Sequence, residues 1–289
     1  MGGVISPYSK AGDALLAAEQ DATGTAARVP YHPDFWTEHA LREVYHSTGD
    51  VVEVKPKSLL KFGSYANLGT SFETVQAQGG NETYATTNAI DTVSSSNAGD
   101  TVFVVIEGHT IDGNGDFTFI VQSATLDGQN KVLLAAPLAR CSQIHNANGT
   151  AFVGDVYVYE DDTLTGGVPD TASKIHALAL AIDQQTEKAA TTISKNDYWF
   201  ITQAWASVNK KKDAQVDFKL QVRQKGGVFL THTDLTLSNS SSGGQMFEFR
   251  PFFVVPQNAD VRLVAAASTT DVSVSGGING ILATVKVDN

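Results

Sequence analysis

Gln215-Val-Asp-Phe-Lys-Leu-Gln-Val-Arg223 is the stretch on which the reading of the fold turns. Val216, Phe218, Leu220 and Val222 alternate with Asp217, Lys219, Gln221 and Arg223. A period of two places the apolar set on one face of a strand and the polar set on the other. Further candidate strands lie on both sides, separated by Gly, Asn, Asp and Ser. Downstream they cover 228–237, 245–255, 260–266 and 278–287. Upstream they cover 198–208, 174–182, 153–159, Ile144, 131–135, 117–122 and 101–107. Long helical periods are missing here, so parallel βαβ crossovers are not expected. The second half is expected to form an antiparallel sandwich of jelly-roll type, its strand count close to about eight.

The polar stretch 161–173 (DDTLTGGVPDTAS) marks a boundary. The expected organisation is an N-terminal arm over 1–49, a β-rich domain over 50–165 and a jelly-roll-like sandwich over 174–289. The fold class is therefore mainly β, with short helices confined to the arm. In the arm, Asp13 to Gln20 is an Ala/Leu-rich helix former. Pro30 and Pro33 force extended backbone. Asp34 is a suitable N-cap for a helix over 35–46, and Ser47-Thr-Gly49 supplies a stop. Phe35, Trp36, Leu41, Val44 and Tyr45 make only a partial apolar stripe. The arm cannot build its own core. It is expected to finish its packing on the body of this chain or on another chain, with Tyr8, Leu15, Tyr31, Phe35 and Trp36 as the anchoring contacts, since aromatic anchors dominate interfaces.

Composition narrows the function. The 289 residues carry 20 Lys+Arg against 31 Asp+Glu, a formal net charge of −11. That lacks the basic footprint of phosphate recognition, so no nucleic-acid partner is expected. Apolar content of 42% is enough for a core. Cys141 is the sole cysteine and cannot form an internal disulfide. No apolar run approaches about 18 residues, so no membrane span is expected. Met1 to Pro7 has no basic segment followed by an apolar one, so no secretory signal is expected.

The search for chemistry yields no catalytic, cofactor or metal assignment. Asp112, Asn114 and Asp116 have the spacing that opens an EF-hand loop, but Phe117 replaces its glycine and Ser123 its closing glutamate, which leaves a hairpin turn. His39, Glu43 and His46 are spaced for one helix face without an HExxH motif. His109, His145, His176 and His232 have no ligand spacing. The neighbours Asp161 and Asp162 cannot be placed across a cleft from sequence. Cys141, flanked by Leu138 and Ile144, reads as a buried small hydrophobe. Lys210-Lys-Lys212 reads as a solvated loop. Asn81, Asn148 and Asn239 head sequons that read as turns. Trp199 and Trp205 share parity, hence a face. That face is core, or alternatively an aromatic platform for sugars.

Several stretches together carry a family resemblance. Tyr198-Trp-Phe-Ile-Thr with Ala206-Ser-Val208, the alternating Val216 to Arg223, Gly226-Gly-Val-Phe229, Phe249-Arg-Pro251 with Val255-Pro256, Asp260-Val-Arg-Leu263 and Ser275-Gly-Gly277 to Val287 resemble the β-sandwich of tailed-bacteriophage virion proteins. Val105 to Gly108, Thr125 to Gly128, Val132 to Leu138 and Ile144 are similar to the smaller β domain preceding it there. The resemblance implies a structural virion component rather than an enzyme, most like a capsid decoration (cement) protein. It implies the major capsid protein as partner, a homotrimer, the outer capsid surface as location, and no cofactor. The alternative from the same residues is a carbohydrate- or receptor-binding head-fibre or tail-associated module. A hydrolase on the same scaffold ranks last.

Overall fold

The computed structural model describes residues 52–209, 214–238 and 244–287. Residues Lys57–Ala283 form one compact unit. All the described strands lie in Lys57–Ala283, apart from the outer ends of the first and the last. The arm, with its expected helices and the anchors Tyr8, Leu15, Tyr31, Phe35 and Trp36, lies outside the described residues, as do His39, Glu43, His46 and the lysines at 210–212.

The described chain is mainly β and antiparallel. In order come β1 (Val52–Leu68), β2 (Glu73–Thr74), β3 (Ile90–Ser95), β4 (Phe103–Ile111), β5 (Phe117–Thr125), β6 (Val132–Leu138), β7 (Arg140–Asn146), β8 (Val156–Glu160), β9 (Leu164–Thr165) and β10 (Val168–Pro169). Then follow β11 (Ile175–Leu180), β12 (Gln185–Thr186), β13 (Ala190–Thr192), β14 (Asp197–Asn209), β15 (Gln215–Arg223), β16 (Leu230–Ser238), β17 (Gly244–Val255), β18 (Asp260–Ala267) and β19 (Val272–Val287).

Two sheets face each other as a sandwich. One has the order β1-β19-β14-β17 and the other β13-β18-β15-β16, with β2 also on β18. β15 is the strand whose alternation is strictest, and Val216, Phe218, Leu220 and Val222 are all buried. They meet Trp199, Ile201, Val208, Val261, Leu263, Val274 and Ile278 in one apolar core. Each such side chain contributes roughly 1.5–3 kcal/mol by leaving water.

Eight of the remaining strands form a sheet in the order β5-β4-β7-β12-β11-β8-β3-β6, curled until its two edges nearly meet. The side chain of Gln122 on β5 bridges the gap. Its Nε2 donates to Ala136 O at 2.8 Å, and its Oε1 accepts from Ala136 N at 3.0 Å. A side-chain amide thus takes the place of a missing ladder pair. Ile90, Val104, Ile106, Leu138, Ile144, Val156 and Val158 fill the interior of this open barrel. Neither edge strand carries a charged residue, and Phe119, Val121 and Leu133 stand exposed along them. Natural edges are usually blunted by charge, so this uncharged strip is a departure.

The barrel interrupts a sandwich strand. β2 and β13 lie end to end along β18, with Thr74 opposite Val264 and Ala190 opposite Arg262. The chain leaves between them and returns through a two-stranded neck. Val75 N donates to Leu263 O at 3.0 Å, and Leu263 N donates to Ala189 O at 2.9 Å. Ala189 N donates to Val75 O and Ala77 N to Glu187 O, each at 2.9 Å. Gly63 crosses here, where an added Cβ would lie 2.0 Å from Val75 O.

This topology redraws the expected organisation. β1 belongs to the sandwich, although the sequence reading puts residues from 50 onward in the first β domain. β11 pairs with β8 in the barrel, although it is expected to open the sandwich. The polar stretch 161–173 is a hairpin excursion of the barrel, with β9 and β10 paired to each other. An insertion leaves no local composition shift where the chain departs, so the conspicuous polar loop draws the boundary instead.

Trp199 and Trp205 do not share a face. The β14–β17 register shifts between Ile201 and Gln203. Trp199 and Ile201 are buried before the shift, and Ala204, Ala206 and Val208 after it. A bulge reverses the alternation, so counting in twos across it fails. Trp199 is core, and Trp205 is partly exposed, closed against Gly277.

Candidate functional site

Strands that lie far apart in sequence bring most of the buried charge to one place, the junction of barrel and sandwich. β7 supplies Arg140, which is buried although it follows the apolar run Leu134 to Ala139. β18 supplies Asp260, and the end of β15 supplies Arg223. Arg140 Nε donates to Asp260 Oδ1 at 3.0 Å, and Arg223 Nε donates to Asp260 Oδ2 at 3.1 Å. Thr192 Oγ1 adds a hydrogen bond at 2.7 Å, and Arg140 Nη1 donates to Ala139 O at 2.7 Å. Burial alone would raise the Asp260 carboxyl, but the charge and hydrogen bonds of Arg140, with Thr192 and Arg223, hold it below the usual carboxylate range.

Around this ion pair, guanidiniums and rings alternate. Arg262 lies 3.9 Å from the Phe229 ring centre, and Arg223 lies 4.7 Å from Phe229 and 4.1 Å from Tyr84. Arg140 lies 5.0 Å from Tyr84 and 4.8 Å from Phe117. The series continues along the barrel through His109 to Phe119, at 5.4 Å, and to Lys57, 5.9 Å from the Phe119 ring. Each such contact contributes roughly 0.5–2 kcal/mol, more where water is excluded.

Three further groups complete the junction. Lys188 in the neck donates to Glu82 Oε1 at 3.0 Å, to His176 O at 2.8 Å and to Cys141 O, so its ammonium is fully used. Lys61 on β1 is buried, and its Nζ reaches Gln143 Oε1 at 3.4 Å. Burial holds the Lys61 amine down to about 8, with Glu107 raising it and Lys188 lowering it. His109 is pushed down to about 3, first by burial and then by the charge of Lys61.

Of the residues singled out in the sequence, Cys141 is buried and Asp112 to Asp116 form a hairpin turn, both as expected. Burial pushes the Cys141 thiol up to about 12, so it is a thiol rather than a nucleophilic thiolate at neutral pH. Asp112 and Asp116 sit in the β4–β5 hairpin turn. Asp112 Oδ1 accepts from the backbone N–H of Asn114 at 2.9 Å and of Asp116 at 3.0 Å. Asp116 is 2.6 Å from Lys225. Asp161 and Asp162 each have their own lysine, Lys131 at 2.6 Å and Lys174 at 3.3 Å. Among the described residues no group of three His, Cys, Asp or Glu side chains could hold a metal ion, and no helix is long and apolar enough to cross a membrane.

Cavities are small. One of about 20 Å³ lies between the sheets beside Trp205, Phe218 and Phe247, and one of about 10 Å³ lies in the junction beside Tyr84, Lys188 and Thr191. Each has room on the order of a single water. Among the described residues the Tyr84 hydroxyl has no hydrogen-bond partner, and burial raises it well above the usual phenol range. The arrangement is suited to holding two β bodies together.

No protein-family model matches the chain, and no curated protein matches it. Solved structures with some likeness include infectious bursal disease virus, Gx strain, at 9% identity over 84% of this chain and 76% of that one, with a TM-score of 0.22. The infectious bursal disease virus VP2 subviral particle shows 10% identity over 82% and 72%, with a TM-score of 0.20. The PBSX exported protein XepA shows 11% identity over 90% and 96%, with a TM-score of 0.17. At scores this low they carry no inference about the role of this chain.

Proposed function

We propose that the protein is a structural component of a virus particle that binds the assembled phage capsid from outside and stabilises it as a decoration protein. The observation that carries this is the junction. A sandwich and a barrel inserted into one of its strands are welded by buried ion pairs and stacked rings, giving a rigid two-lobed body suited to bearing load. The sandwich reads as a jelly roll, because β1-β19-β14-β17 facing β13-β18-β15-β16 is the order of a double Greek key, with β2 and β13 counted as one strand. The sequence resemblance to phage virion proteins points the same way.

In this reading the arm (1–49) lies across joints between major capsid proteins, with Tyr8, Leu15, Tyr31, Phe35 and Trp36 as anchors. The uncharged strip of Phe119, Val121 and Leu133 faces a symmetry mate in a homotrimer. Apolar area buried at these contacts contributes roughly 25 cal/mol per Å² before ordering costs. Binding the closed shell and not its free parts stabilises the shell by mass action. The role needs no turnover, cofactor or nucleic-acid contact.

The test is deletion of residues 1–49 followed by sedimentation with emptied shells. Loss of co-sedimentation is expected, and undiminished binding overturns the arm's role. The carbohydrate-binding reading loses its paired-Trp platform to the register shift between β14 and β17, since Trp199 is buried.

A further inference from the structure

We propose that Lys61 and Gln143 join in an intramolecular isopeptide bond, with Glu107 carrying the proton between them. The two buried lysines of the junction differ in a telling way. Lys188 has three acceptors for its three N–H groups. Lys61 is just as enclosed, yet among the described residues its hydrogen bond is one long contact to the side-chain oxygen of Gln143, at 3.4 Å. A buried ammonium so poorly satisfied favours the neutral amine, and a neutral buried lysine is a nucleophile. The group it touches is a carboxamide, which is an acyl donor. The third member is already in place, since Glu107 on β4 pairs directly with Gln143 on β7.

The chemistry balances without any further reactant. The neutral Lys61 Nζ attacks Gln143 Cδ, and the proton it sheds passes to the Glu107 carboxylate. The tetrahedral adduct then collapses. The Cδ–Nε2 bond breaks, and Nε2 leaves as ammonia, taking the proton back from Glu107. One C–N bond has formed and one has broken, and one ammonia is lost. Fixed contact between amine and amide supplies the proximity that an intermolecular reaction lacks.

Lys61 faces Glu107 and His109 from β4, Cys141 and Gln143 from β7, Lys188 from the neck and Lys57 on its own strand. His109 stays neutral across the neutral range. Deprotonation of Lys61 near pH 8 frees the nucleophile and gates the reaction. The bond spans 82 positions of sequence and ties the sandwich strand β1 directly to the barrel. Load arriving along β1 then enters the barrel through a covalent link. The bond stands or falls independently of the shell-binding reading.

The test is intact-mass spectrometry of the full-length chain, folded, held above pH 8 and then denatured. The expected result is a mass lower by one ammonia, with a branched proteolytic peptide joining Lys61 to Gln143. Gln143→Leu and Lys61→Met should keep the full sequence mass. Glu107→Gln should slow the reaction by at least about tenfold, in line with loss of a proton carrier. A folded wild-type chain that keeps its full mass overturns the proposal. So does loss of ammonia without the branched peptide, which would signal succinimide formation at an asparagine instead. An unchanged rate in Glu107→Gln overturns the part given to Glu107.

Discussion

Asp260→Asn removes one charge and almost no volume from the centre of the junction. The carboxylate it replaces accepts from Arg140, Arg223 and Thr192. Arg140 has no second acid in the described structure. Its side chain is 9% exposed, so its charge would be left in a poorly solvated place, facing the carbonyls of Ala85 and Ala139 and the rings of Tyr84 and Phe117. Breaking a buried pair from one side costs about 3–5 kcal/mol. For a unit of this size each kcal/mol moves Tm by roughly 2–4 °C, so a fall of about 6–20 °C is expected in thermal unfolding followed by circular dichroism. Adding Arg140→Met should recover part of the loss, because the uncompensated charge goes with it.

The pH dependence has a definite sign. The Asp260 carboxyl lies below its ordinary value in the folded chain, so its contribution is present above the unfolded value of 3.8 and is lost as pH falls through the folded value. Asp260→Asn should lack this acid-side loss. A fall in Tm of under about 2 °C, or no recovery with Arg140→Met, would refute the view that this ion pair welds the two bodies.

Other outcomes rest on the same structure. His109 takes its proton near 3 when folded but near 6.5 when unfolded, so stability is lost as pH falls from 6.5 towards 3, by up to roughly 1.4 kcal/mol per unit; urea midpoints for His109→Phe should be flatter across that window. Trp199→Ala should cost about 3–5 kcal/mol, whereas Trp205→Ala, on the partly exposed side of the bulge, should cost less than half as much in the same titration. Gln122→Leu removes both bonds to Ala136, and hydrogen exchange at the Ala136 amide should quicken at least about tenfold, corresponding to roughly 1.4 kcal/mol. Gly108→Ala would place a Cβ 2.3 Å from Arg140 O, so soluble yield and Tm should both fall.

Most strands are legible in the sequence because their alternation is a local property. β15 matches the sequence reading to the residue, and β14, β17 and β18 match within two residues at each end. Three features are not legible. The bulge at Ile201–Gln203 leaves no mark that counting in twos can detect. The insertion of the barrel into one strand depends on β2 and β13 meeting along β18, which is a long-range pairing. The junction gathers Lys61, Tyr84, Arg140, Lys188, Arg223 and Asp260 from across the chain, with no motif among them. A faint signal does exist. Lys61 in Leu59-Leu-Lys-Phe62 and Arg140 in Leu138-Ala-Arg-Cys141 are single charges inside apolar runs, where a buried partner is required. The reading of Cys141 as a small buried hydrophobe rests on the same kind of context, and the structure places it so.

The most direct measurement is electron cryomicroscopy of emptied phage shells saturated with the full-length chain. The account predicts two-lobed density outside the shell, with residues 1–49 traced against the major capsid protein. Shells left bare, or an arm folded entirely on its own lobes, would contradict it.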